Sequence, residues 1–160
     1  MPATKLKEFL QKENVKYVSI LHSTAYTAQE VAASAHVTGK ELAKTVIVEL
    51  DGEMAMAVLP ANRKIVLQDL REVTGSDQVK FATEEEFRLK FPECETGAMP
   101  PFGNLYGMPV FADESLEKDK EIAFNAGTHR ELIRMMWEDY KRLVGPTILR
   151  FTAGRSAEAA

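Results

Sequence analysis

The sequence predicts an α/β domain of the α+β kind, built on a mixed sheet. Predicted helices and strands alternate along the 160 residues, a length that suits one domain. Two apolar strands, 44–50 and 53–60, flank Asp51–Gly52, a dipeptide favoured in tight hairpin turns because glycine accepts a positive φ. At least one strand pair is therefore antiparallel, which argues against a doubly wound parallel sheet.

The amino-terminal part predicts two helices and a strand. Residues 3–13 place leucine and phenylalanine at helical spacing among lysines and glutamates, which is typical of an amphipathic helix. A short β-rich run follows at 17–21. Thr27 fits the N-cap of a second helix, and Glu30 completes a capping box.

The remaining elements follow the hairpin. They are a helix at 64–75, a helix at 83–91, strands at 106–113 and 120–127 on either side of an acidic turn, a helix at 137–144 and a last strand at 147–152. Gly75 ends the first of these helices, Thr83 caps the second, and Pro92 stops it. Residues 130–135 fit either a strand or the start of the helix that follows.

Charge and composition narrow the class of protein. Net charge is −4, so no global basic field predicts nucleic-acid binding, and any RNA contact would use a local patch or an RNA end. The amino terminus lacks the apolar core of a signal peptide and no run reaches membrane-spanning length, which predicts a cytoplasmic protein. Residues 153–160 are small and predict a flexible tail, so we expect a single domain over 1–152.

Cysteine and histidine usage predicts neither a disulfide nor a metal site. Cys94 is the single cysteine, and its glutamate neighbours are expected to raise its pKa, which predicts an inert thiol. His22, His36 and His129 are scattered without the spacing of metal ligands. We therefore expect no metal and no cofactor.

The sequence contains no nucleophile elbow, P-loop or zinc-protease motif, so the candidates for chemistry are three other stretches. The first is the uncharged loop "GAMPPFG" at 97–103, in which prolines fix φ and glycines allow close approach. The backbone N–H groups of Gly97, Ala98 and Met99 are suited to bind a carbonyl oxygen and stabilise an oxyanion. Composition by itself favours a proline-rich connector between strands, so both interpretations stay open.

The other stretches carry a histidine and a lysine. His129, two residues after Gly127, is placed past a strand end, where it would donate to a substrate hydroxyl, position water or satisfy a loop carbonyl. Lys44 opens an apolar strand, where it is either a solvated lysine or a ligand for phosphate or carbonyl. His22 precedes the predicted second helix and is ambiguous.

The order of these stretches resembles the YbaK/prolyl-tRNA synthetase-associated domain family. The resemblance runs from about residue 21 to 152 and rests on "HSTAYTAQEVA", "GKELAKTVIVELDGEMAMAVLP", "GAMPPFG" and "FNAGTHRELIRM". It implies a free-standing trans-editing factor that hydrolyses the ester between a wrong amino acid and the terminal ribose of a tRNA, most often tRNA for proline. Members release alanine, cysteine or other small residues. The implied fold is a mixed, largely antiparallel sheet curled into a partly closed barrel and flanked by helices.

The resemblance also implies roles for individual residues. It implies a catalytic role for Lys44, which would contact the terminal nucleotide or align the ester. It implies the same for His129, near the sugar hydroxyls. The backbone of four loop residues would lie near the scissile carbonyl: Gly97, Ala98, Met99 and Pro100. Substrate-binding roles fall on His22, Tyr26, Thr27, Thr45, Pro101, Phe102, Gly103, Gly127 and Thr128. Because an aminoacyl ester is already activated, a positioned water and a stabilised oxyanion suffice without a nucleophilic side chain.

Two departures from the family pattern concern specificity. Met99 and Pro100 stand where the family often has serine or valine, and Thr45 stands where alanine-specific members often have asparagine. Alanine specificity is therefore not carried over.

The expected partner is the acceptor end of an aminoacyl-tRNA, with a synthetase or an elongation factor as a further partner by family analogy. Membrane and DNA partners are not expected. The candidate cations for tRNA, which equally fit solvated side chains, are Lys5, Lys7, Lys12, Arg63, Lys64, Arg130 and Arg134. Three alternatives stay open. The first is a non-catalytic module that binds an amino acid, a nucleotide or tRNA. The second is a hydrolase of another acyl ester, and the third is a structural domain.

Overall fold

Four α-helices form in the part of the chain that the computed structural model describes, residues 4–22 and 41–154. They are α1 (Thr4–Lys12), α2 (Leu67–Thr74), α3 (Glu84–Phe87) and α4 (Trp137–Val144). The predicted cap at Thr83 is confirmed and forms part of a capping box, in which the Thr83 hydroxyl accepts from Glu86 N–H and the Glu86 carboxylate accepts from Thr83 N–H. The helix predicted after Thr27 lies outside the described residues.

Ten strands form in the same ranges. They are β1 (Tyr17–Leu21), β2 (Ala43–Leu50), β3 (Glu53–Pro60), β4 (Arg63–Ile65), β5 (Val79–Phe81), β6 (Val110–Asp113), β7 (Glu121–Asn125), β8 (Glu131–Met136), β9 (Thr147–Leu149) and β10 (Thr152–Gly154). One sheet has the order β5-β2-β3-β6-β9, a second has the order β1-β8-β7, and β10 pairs with β4. Pairs β3–β6 and β6–β9 are parallel and the other strand pairs are antiparallel, which confirms the mixed α+β fold.

The predicted partly closed barrel is wrong for the described strands, because they form three sheets of which none closes on itself. In the described ranges, the two larger sheets meet at an isolated parallel bridge between Leu42 and Ala123, beside which Ala123 N–H donates to Glu41 O at 3.0 Å. A barrel needs a hydrogen-bonded register that continues around the ring, and an isolated bridge does not supply one. Side chains of the two sheets instead share one core.

The β2–β3 hairpin forms as predicted. Its register runs from Ala43 opposite Pro60 to Leu50 opposite Glu53, and the turn residues have φ of 50° at Asp51 and 86° at Gly52. Positive φ at both central residues is the requirement of a type I′ turn. The long hairpin therefore forms the centre of the five-stranded sheet.

Helices cover both faces of this sheet. Ile47 and Val58 point into a core shared with α1, α4 and the three-stranded sheet. Val48 and Ala57 point to the opposite face, where they pack with Leu70 of α2. Since both faces are covered, β3 is buried along most of its length.

Helix α2 begins later than predicted. Residues 64 and 65 belong to β4, which pairs antiparallel with β10. Gly75 ends the helix as predicted, with φ 69° and its N–H donating to Glu72 O. A strand partner that is remote in sequence therefore overrides the helical pattern at the start of the segment.

The predicted strands at 106–113 and 120–127 contribute to different sheets. The first becomes β6 of the five-stranded sheet and the second becomes β7 of the three-stranded sheet, with a 3-10 helix at Glu114–Lys118 between them. Residues 130–135, for which strand and helix were both open, mainly form β8. The acidic turn thus carries the chain from one sheet to the other.

The predicted last strand is divided into β9 and β10. Between them, Phe151 N–H donates to the buried Asp113 carboxylate at 3.1 Å, so the chain turns inward there. Ala153 and Gly154 of the predicted tail pair with β4, and residues 155–160 lie outside the described residues. The boundary predicted after residue 152 stays a prediction.

Candidate active site

Aromatic side chains anchor the loop 97–103 to the core. Phe102 is fully buried and lies edge-on to Tyr140, with 5.3 Å between ring centroids. The Tyr140 hydroxyl donates to Pro101 O at 2.7 Å. At the exposed end of the loop, Gly97 has φ 87°, a conformation that residues with a Cβ rarely adopt. The loop is thus anchored at its prolines and open to solvent at Gly97.

Close packing explains the second glycine of the loop. A Cβ on Gly103 would lie 2.4 Å from Met108 O, and Met108 N–H donates to Gly103 O at 3.1 Å. The last four residues of the loop are buried and pack it against the core: Pro100, Pro101, Phe102 and Gly103. Their contact with substrate stays a prediction.

The predicted backbone donors differ in availability. Ala98 N–H donates to Glu95 O at 3.0 Å, which commits it inside the loop and removes it from the donors open to a substrate. Gly97 N–H lies 3.3 Å from Met99 Sδ, and a thioether is a weak acceptor. Met99 N–H forms no hydrogen bond within residues 4–22 and 41–154. The donor set predicted from the sequence therefore narrows to Gly97 and Met99.

The structure brings the second candidate stretch against this loop. Gly127 has φ 92°, and its N–H donates to Ala98 O at 2.9 Å. In return, Glu95 N–H donates to Gly127 O at 2.8 Å. The glycine–proline loop and the G-x-H element are thus joined by direct backbone pairing.

His129 is held on two sides by the segment before Gly97. Its N–H donates to Glu95 Oε1 at 2.7 Å, and its Nε2 lies 2.8 Å from Thr96 O. A carbonyl only accepts, so this contact places a proton on Nε2. A Cβ on Gly97 would lie 3.5 Å from His129 Cε1, which shows how closely the imidazole supports the open end of the loop. With 7% exposure, contact of His129 with sugar hydroxyls stays a prediction.

A pocket of about 280 Å³ adjoins these two segments. It is lined by Leu21, His22, Glu95, Thr128, Arg130 and Glu131. Two predicted substrate-binding residues, His22 and Thr128, therefore meet in one cavity. Backbone pairing fixes this wall, since His22 N–H donates to Arg130 O at 2.9 Å.

Glu131 on the pocket wall is held by two partners. Lys7 Nζ of α1 lies 2.7 Å from Glu131 Oε2, and the Ser19 hydroxyl of β1 donates to the same oxygen. Helix α1 is thereby tied to the rim of the pocket. The ion pair with Lys7 neutralises part of the negative charge that Glu95 and Glu131 bring to the pocket.

Lys44 and Thr45 lie near the start of β2 and are half-buried. The parallel bridge between Leu42 and Ala123 sets β2 beside β7, and both strands run from there towards the same end, β7 towards Gly127. The described lining of the pocket does not include Lys44. Its approach to the ester stays a prediction, as does the role of Thr45. Tyr26 and Thr27 lie outside the described residues.

Several cations proposed for tRNA binding already have protein partners. Lys5 lies 4.8 Å from the centroid of the Tyr106 ring, and Arg63 Nε donates to the Thr152 hydroxyl at 2.6 Å. Arg130, by contrast, is exposed and lines the pocket. Contact of Arg130 with the end of a tRNA stays a prediction.

Cys94 is half-buried beside Tyr106, with 3.7 Å between Sγ and the hydroxyl oxygen. Burial is the main cause that raises its pKa; the Tyr106 hydrogen bond lowers it in part, and the charge of Glu93 raises it. The predicted direction is therefore confirmed, although burial outweighs the glutamate to which we attributed it.

We expect Cys94 to react with iodoacetamide at pH 8 at least about tenfold more slowly than a free cysteine, because only the thiolate attacks and burial disfavours it. The rate is measured by mass spectrometry, and the single cysteine makes the product unambiguous. The same chain in guanidinium chloride is the control and should react at the ordinary rate. If Cys94 reacts as fast in the native protein as in the unfolded protein, the prediction of an inert thiol is wrong.

Sequence reasoning missed three residues that build the site. Glu95, Thr96 and Tyr140 each bond to a predicted site residue, and each is ordinary in type. Sequence motifs carry no signal for them, because each bond has a backbone atom at one end: His129 N–H for Glu95, Pro101 O for Tyr140, and the carbonyl of Thr96 itself, which meets His129 Nε2.

Among the described residues, no group of three or more His, Cys, Asp or Glu side chains is arranged to hold a metal ion. In the same part of the chain, the longest helices are too short or too polar to span a membrane.

Tyr140→Phe tests the anchor of the loop. The variant keeps the ring packing but leaves Pro101 O without its buried donor, so we expect the free energy of unfolding to fall by about 1–2 kcal/mol. Chemical denaturation measures the loss. Tyr106→Phe is the control, because Tyr106 is only half-buried and its hydroxyl lies against Cys94 Sγ, whereas its bond to the loop is made by backbone N–H, which phenylalanine retains. Equal stability of Tyr140→Phe and the unmodified protein would show that the anchor contributes nothing.

Solved structures share the fold. A protein proposed to be a trans-editing enzyme for prolyl tRNA synthetase superimposes with a TM-score of 0.82 at 22% identity, over 96% of this chain and 98% of its own. Hypothetical protein APE2540 gives a TM-score of 0.83 at 20% identity, over 93% and 99% of the two chains. At these identities the likeness shows the fold alone.

Two curated relatives extend the comparison. The multifunctional Ser/Thr-tRNA deacylase ProXp-y of Escherichia coli (strain K12) is 25% identical over 152 residues, 92% of this chain and 90% of the relative. The proline–tRNA ligase of Nitratidesulfovibrio vulgaris (strain DP4) is 33% identical over 99 residues, 59% of this chain but 16% of the ligase. The chain therefore spans most of the first relative and a small part of the second.

The mixed α+β fold, with its glycine–proline loop paired to a G-x-H element, defines a YbaK-like domain. The sequence model of the aminoacyl-tRNA editing domain matches residues 22–143. The chain belongs to the aminoacyl-tRNA editing domain family.

Proposed function

We propose that the protein hydrolyses the ester of a mischarged aminoacyl-tRNA in trans. The observation that carries the proposal is the pairing of the Gly97 loop with the Gly127–His129 segment beside a pocket of about 280 Å³. This arrangement puts the N–H of the exposed Gly97 next to a cavity, with the N–H of the buried Met99 two residues further along the loop. It has no need of a nucleophilic side chain, because the ester is already activated.

In this mechanism a water oxygen bonds to the ester carbonyl carbon, and the ribose oxygen leaves with a proton. The oxyanion that forms in between is stabilised by Gly97 N–H, with Met99 N–H as the second donor. Gly97 N–H would exchange a weak sulfur acceptor for an anion, so it gains most when charge develops. His129 supports the loop from behind, and Lys44 aligns the substrate. The products are the free amino acid and an uncharged tRNA.

The pocket beside the loop takes the amino-acid part of the substrate. Its volume of about 280 Å³ suits a small side chain, and its lining residues include Thr128, which carries a hydroxyl, and Glu95, which carries a carboxylate. Such groups hydrogen-bond a substrate hydroxyl, and a site built that way discriminates better than an apolar one. We therefore place serine and threonine beside alanine and cysteine as candidate residues, in agreement with the name of ProXp-y.

The relatives support an editing function. The chain covers 90% of ProXp-y, a deacylase by name. The match to a proline–tRNA ligase favours tRNA for proline as the carrier. A synthetase or elongation factor remains a proposed further partner by family analogy.

A deacylation panel tests the function. It uses tRNA for proline charged with alanine, cysteine, serine, threonine or proline, and tRNA for alanine, cysteine, serine and threonine with their own amino acids. We expect fast release from at least one mischarged tRNA while prolyl-tRNA is spared. Release of every amino acid at one rate would contradict editing, and silence on all of them would favour a non-catalytic module that binds tRNA.

A further inference from the structure

The side chain of Glu95 lies between the two segments of the candidate site. We propose that Glu95 is a positioning residue, whose carboxylate holds the G-x-H element and the Gly97 loop in one fixed arrangement. The proposal rests on the proposed function for its effect on turnover. Its structural part, the coupling of the two segments, stands on the hydrogen bonds alone.

Glu95 contacts both segments at once. Its N–H donates to Gly127 O at 2.8 Å, and its carbonyl accepts from Ala98 N–H at 3.0 Å. Its carboxylate accepts from His129 N–H at 2.7 Å. Glu95 therefore connects the Gly97 loop, through Ala98, to Gly127 and His129, the first and last residues of the G-x-H element.

The carboxylate bond is the part that depends on the side chain. The backbone bonds of Glu95 would survive replacement by alanine, as would the return bond from Gly127 N–H to Ala98 O. At 2.7 Å the bond to His129 N–H has the length of a charge-assisted hydrogen bond, which is stronger than a neutral one. Removing the carboxylate therefore releases the His129 backbone while the rest of the pairing remains.

The position of His129 matters because its ring adjoins the proposed oxyanion donor. Thr96 O fixes the ring at Nε2, and a Cβ on Gly97 would lie 3.5 Å from Cε1. A shift of the His129 backbone would move the ring against Gly97. Displacements of about 1 Å in a site are sufficient to lower turnover by about 100-fold.

Glu95 also lines the pocket, where its negative charge offers a second role as a contact for the substrate amine. Glutamine separates the two roles. Glu95→Gln keeps an oxygen acceptor for His129 N–H and removes the charge, whereas Glu95→Ala removes both. Glu93→Ala is a matched control, since Glu93 is an exposed glutamate close in sequence, and no side-chain hydrogen bond joins it to the described site residues.

The experiment combines steady-state kinetics on the best substrate of the panel with amide hydrogen exchange at His129. In Glu95→Ala we expect kcat to fall by about 10–100-fold with KM changed less than about threefold, and the His129 amide to exchange at least about tenfold faster. Glu95→Gln should stay within about threefold of the unmodified protein in both readouts. Glu93→Ala should match the unmodified protein.

Each other outcome is decisive. Unchanged exchange at His129 in Glu95→Ala overturns the coupling of the two segments. Faster exchange with unchanged kcat overturns the positioning role. A glutamine variant that is as slow as the alanine variant but exchanges like the unmodified protein shows that the charge acts on the substrate, which also overturns the positioning role. If the unmodified protein is inactive on the whole panel, the proposed function fails, and the positioning role in deacylation fails with it, while exchange still decides the coupling.

Discussion

Lys44→Ala is expected to lower kcat/KM for deacylation by about 100-fold or more, because misalignment of a bound substrate by about 1 Å costs a loss of that size. The fold should persist, because β2 is held by backbone pairing of Lys44 with Leu59 that alanine retains. Thermal unfolding should therefore show a stability change below about 1 kcal/mol, within the range of strand propensities. Rates are measured on the mischarged tRNA that the panel identifies.

Lys90→Ala is the matched control for this variant, since Lys90 is an exposed lysine on a 3-10 helix outside the candidate site. It removes the same charge from the protein and should leave the rate unchanged. Lys44→Arg keeps the charge but is larger and differently shaped, so only partial recovery is expected. Full activity of Lys44→Ala would refute the role that we give this lysine.

Gly97→Val is expected to abolish most of the deacylation activity. The residue has φ 87°, which a β-branched side chain adopts only with strain, and the new Cβ would meet the His129 ring at 3.5 Å. The loop must then change its backbone, which moves the N–H proposed to bind the oxyanion. We expect kcat to fall by about 100-fold or more.

Gly52→Val separates strain from catalysis. Gly52 has nearly the same φ, 86°, but lies in the β2–β3 turn, where a Cβ would have nothing within 4 Å. Both variants should lose about 1–2 kcal/mol of stability, the cost of a left-handed conformation. Only Gly97→Val should lose activity. Equal activity of the two variants would mean that the loop backbone does not take part in the reaction.

Local signals in the sequence were sufficient for the elements whose causes lie within a few residues. The Asp51–Gly52 turn follows from backbone chemistry, and so does the capping box at Thr83. The family resemblance likewise came from the order of short motifs and is confirmed by the match over residues 22–143. In the structure, the two stretches that carry Gly97 and Gly127 are hydrogen-bonded to each other, while the roles assigned to their residues stay predictions.

Failures of prediction occurred where the cause is a partner remote in the chain. The helix predicted from residue 64 starts late because β4 pairs with β10, which the local pattern does not contain. The barrel expected from the resemblance is absent from the described strands, because the sheets meet at an isolated bridge. A hydrophobic period records which face of an element is buried, not which element covers it.

The sequence by itself determined the mixed α+β class, the central hairpin and the chemical character of a loop with backbone donors and no nucleophile. Only the tertiary structure decided which donors are open, because Ala98 N–H is committed to Glu95 O while Gly97 N–H faces only a weak sulfur acceptor. It also showed that Glu95 and Tyr140 bond to residues of the candidate site. Their bonds end on backbone atoms, which every residue possesses, so these contacts leave no pattern in the sequence and appear only when the chain is folded.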